Sequence, residues 1–99
     1  MSILGARVEK IRSKNAGPFW VTIDIFCHSD GSFPEICEIV TVDLIQTLYN
    51  VKRDDILRYV IDDLDVIKIS IPRPNYQGTR LDRDMHGASF ANLLSEFRV

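Results

Sequence analysis

The chain has 99 residues, of which 45% are hydrophobic and 26% charged, and a formal net charge of −2. That size gives one domain with a single core, and the composition is that of an ordinary globular chain. No apolar run approaches the ~20 residues that span a bilayer, and the N-terminus lacks the apolar core of a secretory signal. Two cysteines, Cys27 and Cys37, fall short of a disulfide framework, so reduced thiols and a cytoplasmic location are expected.

The charge is unevenly spread. Residues 1–23 carry four basic groups against Glu9, a balance of +3; residues 24–65 carry ten acids against three basic groups, −7; residues 66–99 carry five basic groups against three acids, +2. A nucleic-acid surface would need more positive charge with fewer competing acids, so no nucleic-acid role is expected. A small anion needs only a few donors and fits better.

In chain order, Leu4, Val8 and Ile11 recur at helical spacing, and residues 3–12 read as a short helix. Ala6, Val8 and Lys10 also alternate, so a strand competes. Gly17-Pro18 stops regular structure. From Phe19 to Cys27 the period is two, with Phe19, Val21, Ile23, Ile25 and Cys27 on one face, which predicts a strand. His28 to Gly31 form a turn. Ser32 and Glu35 match a capping box, with Pro34 in the first turn of a helix running to about Ile39 that turns Phe33, Ile36 and Val40 inward.

Thr41 is a second N-cap, followed by a helix with Val42, Ile45, Leu48 and Tyr49 on one face and Asn50 at its end. Two strands follow, Ile56 to Ile61 and Val66 to Ile71, joined by a short loop from Asp62 to Asp65. Pro72 and Pro74 end the second strand. The irregular segment to Gly87 exceeds ordinary connection lengths. In the last segment Phe90, Leu93, Leu94 and Phe97 fit a helix, while Leu94 to Val99 also fit an edge strand. This order predicts an α+β sandwich: a mostly antiparallel sheet with helices on one face, ferredoxin-like in arrangement.

Two basic segments stand out. Arg12-Ser13-Lys14-Asn15 before Gly17 combines a bidentate guanidinium, a point charge and two neutral donors, a set suited to an anion; Gly17 would let backbone approach a ligand. A solvated helix end is the competing account, with both cations complementing the helix dipole. The second segment carries Arg73, held between two prolines, and Asp82-Arg83-Asp84-Met85-His86, where Asp84 would hold Arg83 or His86. Arg73 alternatively deters strand pairing. His86 is the one candidate acid or base, because an unperturbed imidazole changes charge near neutrality, although a hydrogen-bonded loop histidine reads the same way. No cysteine or histidine spacing matches a metal site, and no glycine-rich phosphate motif occurs. No cofactor is implied.

The segments Arg12 to Phe19, Thr22 to Ile25, Ile67 to Pro74 and Asp82 to Ala88 together resemble an uncharacterised family of small bacterial, archaeal and fungal proteins. These are associated with the large AtuA-type acyclic terpene utilisation proteins and similar to their C-terminal ferredoxin-fold domain. Those domains carry an Arg-Ser-Gly-Asp-Lys-Gly-like segment before their first long strand. Arg12, Ser13 and Gly17 correspond, while Lys14-Asn15-Ala16 departs, so no role for the lysine carries over. The resemblance implies an accessory subunit that partners a larger AtuA-type protein and contributes Arg12–Gly17 and Arg73–Gly87 to a carboxylate or acyl-CoA site. The alternatives are a non-catalytic structural module or a stand-alone lyase or isomerase of small acids. Self-association is also expected of a small domain with uncovered strand edges.

Overall fold

The computed structural model describes residues 3–17, 19–72 and 90–98. A four-stranded antiparallel sheet runs β1 (Lys10–Asn15), β2 (Trp20–Phe26), β4 (Val66–Pro72) and β3 (Leu57–Ile61) from edge to edge. The two central strands set the core. Their register places Val21 opposite Ile71, Ile23 opposite Ile69 and Ile25 opposite Ile67. All six side chains are fully buried, each contributing roughly 1.5–3 kcal/mol of apolar burial. β-Branched residues dominate both strands because they fit a pleated surface covered by helices.

Among the described residues, four short helices cover one face of the sheet. α1 (Leu4–Arg7), α2 (Phe33–Ile39), α3 (Val42–Tyr49) and α4 (Phe90–Ser95) deliver Leu4, Phe33 and Ile36, Ile45 and Leu94 to the same apolar cluster. β2 and β3 are each antiparallel to β4, so they run parallel to each other with β4 between them and α2–α3 connecting them. This is the split β-α-β unit of the ferredoxin-like arrangement. The fourth strand, beside β2, comes from the N-terminal side through the β1–β2 hairpin instead of following the last helix.

Several expectations change. Residues 3–12 do not make one helix: α1 ends at Arg7 and β1 begins at Lys10. β1 is an edge strand whose inward row is Ile11, Ser13 and Asn15, too polar to announce itself by hydrophobic alternation. Ser32 does not close a capping box, because its hydroxyl donates to Asp30 Oδ1 at 2.6 Å, leaving the helix N-terminus without a side-chain cap. Ser32 N–H joins the same oxygen at 3.0 Å, and these bonds hold the Asp30 carboxyl below its usual range. Glu35 pairs with Arg7 on α1 instead. Phe19 stays 51% exposed, outside the core face.

Thr41 does cap α3, its Oγ1 accepting from Leu44 N–H at 3.2 Å, and Asn50 ends that helix in the left-handed region at φ 55°. The Asp62–Leu64 turn with left-handed Asp65 closes the β3–β4 hairpin as expected. The last described segment is helical through Ser95, after which Arg98 makes an isolated antiparallel bridge to Ile3.

Candidate functional site

The face of the sheet opposite the helices is set by register alone. One row across it reads Arg12, Asp24, Lys68, Tyr59; a second reads Lys14, Thr22, Ser70, Leu57; a third reads Lys10, Phe26, Val66, Ile61. Trp20 stands beyond them opposite Pro72. The cations Lys10, Arg12 and Lys14 therefore line one side of β1, successive ones about 7 Å apart along the strand. Arg12 and Lys14 reach this face because they sit on a strand; the loop and the helix end considered from sequence are both replaced.

A pocket of ≈ 240 Å³ lies there, bounded by Arg12, Ser13, Lys14, Asp24 and Phe26. Asp24 is directly opposite Arg12, yet its ion-pair partner is Lys68 on the other side, Nζ to Oδ1 3.5 Å. That oxygen is sealed from solvent and accepts no hydrogen bond of normal geometry among the described residues, so the attraction is chiefly that of charge. Lys10 places its ammonium 4.8 Å from the centre of the Phe26 ring, a cation–π contact. Among the described residues neither Arg12 nor Lys14 has a carboxylate partner. With Asp24 balanced by Lys68, the pocket wall carries the two positive charges of Arg12 and Lys14.

Ser13 and Asn15 belong to the opposite side. Ser13 Oγ accepts the Ala91 N–H of α4 at 2.8 Å, tying the last helix to the edge strand, and Asn15 is likewise engaged. Ser13 thus borders the pocket while its hydroxyl serves α4. Gly17 has φ 82°, and a Cβ there would meet nothing within 4 Å. Its requirement is the left-handed turn conformation, not close approach. Arg73, Arg83, Asp84 and His86 lie outside the described residues.

Sequence reading overlooked Arg58. It occupies the inward phase of β3, where a charge must find partners, and donates to the carbonyls of Val40 and Cys37, both at 2.8 Å. Those are orphan acceptors at the C-terminus of α2, so Arg58 caps that helix from a neighbouring strand. Lys68 and the exposed ring of Tyr59 were also missed, although the alternation of β3 and β4 put both on the open face.

Burial pushes the Cys27 thiol up to about 11, with Cys37 adding to the shift, so Cys27 is a poor nucleophile. Burial raises Tyr49 as well; its hydroxyl donates to the Phe90 carbonyl at 2.5 Å. Among the described residues no group of three His, Cys, Asp or Glu side chains is placed to hold a metal, and no helix is long and apolar enough to cross a membrane.

Residues 4–97 match the family described as a domain of unknown function, DUF4387, and the chain belongs to that family. No curated protein and no solved structure matches it.

Proposed function

We propose that this DUF4387 protein is a small cytoplasmic accessory subunit that holds an anionic ligand, a carboxylate or an acyl-CoA, against the open face of β1 while partnering a larger AtuA-type protein. The observation that carries the anion reading is the pairing of Arg12 and Lys14 above one pocket, neither with a carboxylate partner among the described residues. A guanidinium grips two oxygens of a carboxylate or phosphate, and a neighbouring ammonium adds charge with little geometric demand. Phe26 gives the acyl carbons an apolar wall beside that charge. Arg73 and Arg83 would extend the site from the segment after β4, with Asp84 holding Arg83 or His86. The unpaired thiols Cys27 and Cys37 suit a reducing compartment.

The test uses the complex with the AtuA-type protein. Arg12→Ala together with Lys14→Ala should weaken binding of a branched short-chain acyl-CoA at least tenfold, since each charge-assisted contact is worth about 1.5–3 kcal/mol, while leaving assembly intact. If the substitutions instead weaken assembly and leave ligand binding per intact complex unchanged, the protein is a structural module and the anion reading falls. The apolar outer strand β3 is what favours that second reading.

A further inference from the structure

β3 ends the sheet, and among the described residues nothing pairs with its outer side. Edge strands of soluble proteins are normally guarded by lysine, proline, a bulge or a covering element. The sequence Leu57-Arg58-Tyr59-Val60-Ile61 has no lysine or proline, and its one charge, Arg58, is turned inward to cap α2. What remains outside is apolar: Leu57 is 44% exposed, Tyr59 53% and Val60 38%.

Charge marks the ends of this edge. The 3₁₀ turn before β3, Arg53–Asp55, exposes Asp54 and Asp55, and the turn after it, Asp62–Leu64, exposes Asp62 and Asp63. Arg53 is neutralised by its ion pair with Asp43. Lys52 against Asp54, Asp55, Asp62, Asp63 and Asp65, one cation against five carboxylates, leaves −4 around five residues of open strand. A second copy pairing antiparallel through β3 would set the acidic turn at each end against the other acidic turn of its partner. Charge therefore disfavours self-pairing here and selects a partner of opposite sign.

We propose that the outer edge of β3 is a strand-addition site for an extended segment of a partner protein, apolar at alternate positions and flanked by Lys or Arg. Main-chain hydrogen bonds would supply affinity and the acidic turns would fix position and sign. The proposal does not rest on the anion site, which lies at the opposite edge of the sheet.

The experiment uses the full chain labelled with ¹⁵N and two synthetic nine-residue peptides of alternating Thr and Val, one with two lysines at each end and one with two glutamates. The lysine peptide is expected to slow exchange of the outward β3 amides at least tenfold at saturation and to weaken when salt rises from 0.15 to 0.5 M. The glutamate peptide should have no such effect. Tyr59→Lys, at the most exposed position of β3 and on the open face, should abolish the protection while melting like the parent; Leu57→Lys serves as a second variant should that one unfold. Equal protection by both peptides, protection by neither, or protection elsewhere than β3 would overturn the proposal. So would β3 amides already protected without peptide in a chain that sediments as a dimer, which would make a second copy the occupant.

Discussion

The two edges of this sheet have opposite construction. β1 is basic on its open side and tied on its other side to α4 through Ser13 and Ala91; β3 is apolar outside and bracketed by acids. Each edge keeps one arginine, used in opposite ways. Arg12 points to the open face with no carboxylate partner among the described residues, whereas Arg58 is spent internally on two helix-end carbonyls. Placement of a charge relative to the pleat, more than its presence in the chain, decides whether it is available to a ligand.

The largest expected effect tests what the edges share. Ile69→Ala, at the fully buried centre of β4, should cost about 2–5 kcal/mol and lower the denaturation midpoint of both edges together in one transition. Separate transitions for β1 and β3 amides in hydrogen exchange would show the edges to be independent. Arg58→Leu should cost about 2–3 kcal/mol, because the carbonyls of Val40 and Cys37 lose charged donors; urea titration measures it. The corresponding loss at the other edge is smaller. Ser13→Ala leaves the Ala91 N–H without its acceptor and should cost about 1–2 kcal/mol, with α4 amides exchanging faster than the rest.

Gly17→Ala forces a side chain into φ 82° and should cost about 1 kcal/mol in the β1–β2 turn. Arg12→Ala should change thermal stability by less than about 0.5 kcal/mol, since it removes no described ion pair, while its effect on ligand binding is large. A last change belongs to neither edge. Cys27 is neutral in the fold up to about pH 11, against an ordinary value of 9.0, so the unfolded chain ionises first. Stability should be unaffected below pH 9 and fall as pH rises from 9 to 11, and Cys27→Ala should remove that part of the decline in urea titrations at both pH values.

The parts of the fold that were legible in the sequence are those where burial is one-sided and strong. β2 and β4 place an isoleucine or valine at every second position, and Thr41 and Asn50 bracket α3 with residues whose local chemistry fixes helix ends. β1 was obscured because an edge strand packed by polar contacts has no apolar rhythm; Leu4, Val8 and Ile11 then imitate a helix across the α1–β1 junction. The capping box failed for a local reason: Asp30, two residues earlier, takes both Ser32 donors. For the site, the basic composition of Arg12–Lys14 was visible, but its division between two faces was not. Ser13 and Asn15 are separated from Arg12 and Lys14 only once the segment is known to be a strand. The pairing of Asp24 with Lys68, which leaves Arg12 without that carboxylate, depends on β2 lying beside β4, and strand order is set by the whole core.

Arg12 and Lys14 form the proposed anion site on the open face. Titration of the ¹⁵N-labelled protein with a branched short-chain acyl-CoA, followed residue by residue, tests it most directly. The predicted result is saturable shifts concentrated on residues 10–15 and 22–26, lost in the Arg12→Ala, Lys14→Ala double variant. Shifts centred instead on the apolar pocket of Leu48, Tyr49, Phe90 and Leu93, or shifts unchanged in the double variant, would contradict it.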